Sequence, residues 1–162
     1  MQIPEPTAEH RWLHSMVGEW TYEMNCSMGP DQPPMHIQGK ASVRSIGGFW
    51  VLNEGTDPHG TSIMTLGYDP KLGRFIGTFI ASMMTFMWRY EGSLDPTGSI
   101  LTLDTEGPNM SGDGSMVAFQ DIFTRISEDE RTLASQYRGP DGQWVPFMLV
   151  TYRRVASAGG SS

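Results

Sequence analysis

The chain has 162 residues, five of them tryptophan, with a hydrophobic fraction of 38% and a formal charge of −7. That length fits one domain with a buried core, the composition excludes disorder, and the acidic balance opposes binding to a phosphate backbone, so nucleic acid is not an expected partner. No apolar run approaches the ~20 residues of a membrane span, residues before Trp12 do not read as a signal peptide, and the single Cys26 fits a reducing, cytoplasmic setting without an internal disulfide.

A helix is predicted over about residues 7–17. Trp12, Leu13, Met16 and Val17 recur at the spacing of one helical face, Thr7 is a good N-cap, and Glu9 suits the positive end of the helix dipole. Gly18 can take the left-handed conformation that ends a helix. Beyond it the period becomes two. Trp20, Tyr22, Met24 and Cys26 point one way, Glu19, Thr21, Glu23 and Asn25 the other. An apolar helix face running into an alternating strand reads as a plug at one end of a sheet. The alternative is an ordinary helix packed on a sheet edge.

A recurring turn punctuates the rest of the chain: Asp57-Pro58-His59-Gly60, Asp69-Pro70-Lys71-Leu72-Gly73, Asp95-Pro96-Thr97-Gly98 and Gly139-Pro140-Asp141-Gly142. Proline presets φ, aspartate caps the turn, and glycine accepts positive φ at the exit. Between the turns lie about ten strands: Glu19–Ser27, Met35–Ile46, Phe49–Gly55, Ser62–Tyr68, Arg74–Ser82, Phe86–Leu94, Ser99–Glu106, Met116–Ile126, Thr132–Arg138 and Gln143–Val155. Met28–Pro34 and Pro108–Ser115 read as loops, the second too polar and flexible to pack. Residues 1–155 form the domain, and residues 156–162 a flexible tail. The fold class is therefore all-β, an antiparallel meander closed into a barrel with the helix capping one end, since closure removes unpaired edges. Ten strands leave more room than the eight that side chains just fill. An open sandwich is the runner-up.

The stretch Glu9-His10-Arg11-Trp12-Leu13 through Val17-Gly18-Glu19-Trp20 resembles the opening of a bacterial family known as domain of unknown function 1579. Its Gly-x-Trp is also similar to the first-strand motif of lipocalins and other calycin barrels. Gly47-Gly48-Phe49, Leu66-Gly67-Tyr68-Asp69, and Gly139-Pro140-Asp141-Gly142 followed by Met148, Tyr152 and Arg154 continue the resemblance in the family's order. It implies a lipocalin-like barrel and no assigned activity. Acids that tend to occur in the family's pattern are replaced here by Ala81, Leu149, Thr151 and Ser135, which lowers the expectation of an enzyme. Some calycin-like barrels bind haem through a histidine on a late strand. No histidine follows His59, and nothing singles out Tyr152, Met148 or Cys26 as an axial ligand, so no cofactor is expected.

Few residues carry chemistry. His10 and His14, spaced i, i+4, are weak metal candidates without a third ligand, and are read as the solvated side of the helix. His36 and His59 read as solvated. Neither Ser82 nor Ser111 has a nucleophile-elbow context. Cys26 continues the apolar face of its strand, and the Asn109–Gly114 loop lacks the spaced acids of a calcium hand. The strongest signal is methionine, twelve in all, a side chain suited to adaptable apolar cavities. Trp20, Tyr22, Met24, Met64, Trp88, Arg89, Met148 and Tyr152 are the cavity candidates. Arg44, Glu54, Arg89, Glu91, Asp121 and Arg125 fall within strands, and any that point inward must be paired. Three functional readings are open: a non-catalytic binder of a small apolar ligand, an enzyme acting through an interior carboxylate with Tyr152 or Arg89, and a barrel that self-associates as a homodimer. All depend on parity, because a one-residue error swaps lining and surface.

Overall fold

The Asp/Pro/Gly turns land between strands as their chemistry requires. In the computed structural model, which describes residues 1–27 and 31–156, ten strands follow one helix. They are α1 (Ala8–His14), β1 (Gly18–Cys26), β2 (Met35–Ile46), β3 (Trp50–Asp57), β4 (Gly60–Asp69), β5 (Arg74–Ala81), β6 (Trp88–Leu94), β7 (Ile100–Pro108), β8 (Met116–Arg125), β9 (Glu130–Arg138) and β10 (Trp144–Arg154). Asp57 opens the β3–β4 turn by accepting from the His59 N–H at 2.8 Å. Between β6 and β7 Asp95 accepts from the Thr97 hydroxyl at 2.6 Å and from the N–H groups of Ser99 and Ile100. The Thr97 bond first, then those backbone bonds, hold its carboxyl below the usual range.

Each strand pairs antiparallel with its neighbours in the sequence, and β1 closes the ring against β10. The seam register matches Trp20 with Arg154, Tyr22 with Tyr152 and Cys26 with Met148. The ladder is interrupted in β10 between Pro146 and Met148, where proline has no N–H to give. The loop after β7 is hydrogen-bonded across its neck, Asn109 N–H to Ser115 O at 2.8 Å, and so is more ordered than its polarity suggests. Parts of two sequence expectations, the loop at residues 28–30 and the tail at residues 157–162, lie outside the described residues.

The helix is shorter than its spacing predicts. It ends at His14, and Met16 and Val17 continue with tighter i→i−3 bonds to Leu13 and His14. Gly18 is consequently not its terminator but the first residue of β1, with φ +140°, and the Arg154 guanidinium fills the space a Cβ would need. Thr7 is the N-cap, as expected, and His10 takes the glutamate's usual place in a capping box.

This capping role corrects the reading of His10 as solvated: it is 4% exposed. Its Nδ1 accepts from the Thr7 N–H at 2.9 Å, so Nε2 carries the proton and donates to Tyr68 O at 2.9 Å. The rings of Phe49 and Tyr68 meet it edge-on. With both nitrogens engaged, His10 has none to offer a metal beside the exposed His14. Leu13 and Met16 are buried as the plug, and Trp12 anchors it by donating to Gly98 O at 2.7 Å. Among the described residues no helix is long and apolar enough to cross a membrane.

Candidate functional site: a cavity above a closed floor

The barrel floor is built around Trp20. Its parity places the indole inside, where its N–H donates to Met16 O at 2.9 Å. The guanidinium groups of Arg131 and Arg154 stand over the ring at 4.4 and 4.3 Å. Arg154 donates to Ser15 O, Val17 O and Glu128 O, tying the end of β10 to the helix exit and the β8–β9 turn. Arg131 is 4% exposed and also faces the Tyr152 ring at 4.3 Å. Its Nε and Nη1 have no hydrogen-bond partner, and burial pulls its pKa down to about 10, against the pull of the Tyr152 hydroxyl.

Above this floor the barrel opens into a cavity of about 370 Å³. Its wall is mostly thioether and aromatic: Met24, Met64, Phe79, Trp88, Phe119 and Met148. Glycines make the room. The Trp88 ring lies over Gly107, where any Cβ would collide with it, and Tyr22 crosses Gly39 in the same way to reach β3. Met83 and Met84, exposed at the mouth, complete the lining, and Trp88 donates its indole N–H to Met84 Sδ at 3.4 Å.

The polar groups inside are few and convergent. The Tyr90 hydroxyl donates to Asp121 Oδ2 and the Ser135 hydroxyl to Asp121 Oδ1, both at 2.6 Å. Burial raises the Asp121 pKa, and those two bonds only partly oppose it. Nearer the mouth the Tyr22 hydroxyl donates to Asp57 Oδ2 at 2.6 Å. Burial first, then Asp57, pushes the Tyr22 pKa well up. Tyr152 is likewise raised by burial, and the charge of the Arg131 guanidinium works against this. The Asn53 Oδ1 is buried without a partner.

Of the sequence candidates, Tyr22, Met24, Met64, Trp88, Met148 and Tyr152 line the cavity together. Trp20 does not; it is packed into the floor beneath. Arg89 is corrected outright. Trp88 and Tyr90 point in, so alternation sends Arg89 out, and it is exposed. Arg44, Glu54, Glu91 and Arg125 are also exposed, leaving Asp121 as the one inward residue of that charged set. Sequence reasoning missed Tyr90, Ser135, Asn53 and Arg131. Parity would have found Tyr90 from Trp88, and Arg131 and Ser135 from Leu133.

A family model described as "Protein of unknown function (DUF1579)" matches residues 5–154. No curated protein matches the chain in sequence. Among solved structures it is similar to Rv2717c from M. tuberculosis at 15% identity, covering 93% of this chain and 99% of that one with a TM-score of 0.68. A DUF3598 protein of unknown function from Nostoc punctiforme aligns with a TM-score of 0.58 at 16% identity, over 88% of this chain and 48% of that one. The S-type phycobiliprotein lyase CpeS from Guillardia theta aligns at 0.57 and 14% identity, over 93% and 94%. At these identities the likeness is one of fold.

Proposed function

We propose that this chain, which belongs to the DUF1579 family of proteins of unknown function, is a non-catalytic binder of a small, largely apolar molecule held inside the barrel. The observation that carries this reading is the cavity itself. Protein interiors are normally close-packed, yet about 370 Å³ is left open here, a volume within the range of small-molecule pockets. Methionine on several strands gives the wall an adaptable, polarizable surface, and burial of an apolar ligand supplies roughly 25 cal/mol per Å². A reducing cytoplasm is its place of action on the argument from the single Cys26.

Native mass spectrometry of the protein from its own host, followed by thermal shift with apolar alcohols, acids, amines and terpenoids, tests this reading. A retained small molecule is expected, and stabilisation by about 2.7 kcal/mol at a ligand concentration near a hundred times Kd. A protein that retains nothing and shifts with no compound would sink it.

One observation favours a second reading. Asp121 is a desolvated carboxylate inside the cavity, bonded to hydroxyls rather than to a cation, and groups so placed serve as general acids or bases. An enzyme predicts that the compounds recovered from wild type and from Asp121→Asn differ in mass, as product from substrate. A binder yields the same compound from both.

A further inference from the structure

We propose that the ligand of this cavity presents a nitrogen-borne hydrogen-bond donor, an amine or amidine on an apolar body, and that the cavity discriminates against carboxylates. The inference rests on the cavity-binding reading and specifies the head group that the reading leaves open.

It comes from the donors and acceptors that the innermost polar groups of the cavity present. The hydroxyls of Tyr90 and Ser135 both give their hydrogens to Asp121, and that of Tyr22 gives its hydrogen to Asp57. These three hydroxyl donors are committed, and what they leave facing the cavity is lone pairs. Of the three buried side-chain atoms without a partner, the two donors of Arg131 lie outside the cavity lining, and the one within it, Asn53 Oδ1, is an acceptor. A buried acceptor left unmade costs more than a made bond contributes, so an incoming donor is favoured.

Charge points the same way. Asp57 and Asp121 line the cavity, and among the described residues no lysine or arginine does. His59, exposed at the mouth, is the one basic side chain of the lining. The Arg131 guanidinium lies against Trp20 and Tyr152 on the floor side, outside the lining. Asp121 is thus a buried carboxylate held by two neutral hydroxyls and no cation. A desolvated charge in that state gains most from a counter-charge brought by the ligand. Burial already raises the Asp121 pKa, which is the mark of a carboxylate short of positive neighbours. The aromatic wall suits a cation as well, since Trp and Tyr faces attract ammonium groups.

The test is calorimetric titration near neutral pH with matched compounds that differ only in the head: n-octylamine, n-octanol and n-octanoate, then 4-phenylbutylamine, 4-phenylbutanol and 4-phenylbutyrate. In each series the amine should bind about tenfold or more tighter than the alcohol, with the carboxylate weakest. In Asp121→Asn the amine should fall to the level of the alcohol, while the alcohol's own affinity shows that the cavity is intact. The order of the three heads in the wild-type protein decides the matter even if that variant does not fold. A carboxylate that binds tightest, or three heads that bind alike, overturns the head-group inference and leaves the binding reading standing. If no member of either series binds, both fall.

Discussion

Where β1 meets β10 at the floor, the inward space holds Trp20 with two arginines over its ring, and Leu13 of the helix and Met16 just past its end press up beneath. Further along the same two strands the paired residues are Cys26 and Met148, and the space between walls is open. Both regions obey the same alternation, and both inner faces are apolar. The difference lies in what enters from the end. The helix delivers side chains into the lower opening, whereas residues at the upper mouth, Met83 and Met84, stay exposed. Inward parity therefore determines which residues are candidates for a core, and an end cap determines whether they become one.

The contrast can be broken most forcefully at Trp20. Trp20→Ala should cost about 3–5 kcal/mol in urea unfolding, since it empties a large buried site and removes the indole that two guanidiniums cover. A cost under about 1 kcal/mol would mean that the floor is not the centre of stability. A matched pair comes next. Met16→Ala, in the filled plug, should cost about 2–4 kcal/mol, and Met24→Ala, beside space already empty, about 1 kcal/mol while altering ligand affinity. Equal costs would erase the distinction between the two regions. Tyr22→Phe removes a single hydroxyl bond to Asp57 and should cost about 1 kcal/mol.

Asp121 sharpens the comparison through pH. Its folded pKa is raised by burial, so its contribution to stability is fullest below the unfolded value and is lost as pH rises through the folded one. The melting temperature of Asp121→Asn relative to wild type should therefore climb between acidic and neutral pH. A flat difference would show that Asp121 titrates as if in water. The smallest effect belongs to Arg89→Gln, which should leave stability within about 0.5 kcal/mol and ligand affinity unchanged, because the side chain is outside.

Most of the scaffold was legible because its determinants are local. An aspartate that caps a turn and a glycine that leaves it with positive φ act within a few residues, so the Asp57, Asp69, Asp95 and Gly139 turns marked the hairpins. Parity read from Trp20 carried through to Tyr22, Met24 and Cys26 for the same reason. The site was less legible where contact depends on distant strands. Naming both Trp88 and Arg89 as lining ignored that neighbours in a strand face opposite ways. His10 was assigned to solvent although it lies three residues before Leu13 on the same helical face, and β3 and β4 cover that face. Arg131 escaped because the predicted strand began one residue after it. That Tyr90 and Ser135 converge on Asp121 follows from three strands, β6, β8 and β9, whose shared interior only the closed ring creates.

The bonds from Arg154 to Val17 and Ser15 have a consequence for how the molecule comes into being. They join residues 137 and 139 positions apart in the chain, and the seam they secure is the contact that turns a ribbon of hairpins into a ring. Each earlier strand can find its neighbour as it leaves the ribosome, but β1 has to wait for the last strand to emerge. Until then β1 presents an unpaired edge, the state in which sheets aggregate. Such long-range closure is slow. A nascent chain of this protein should remain protease-sensitive until β10 clears the exit tunnel, and then become resistant in a single step.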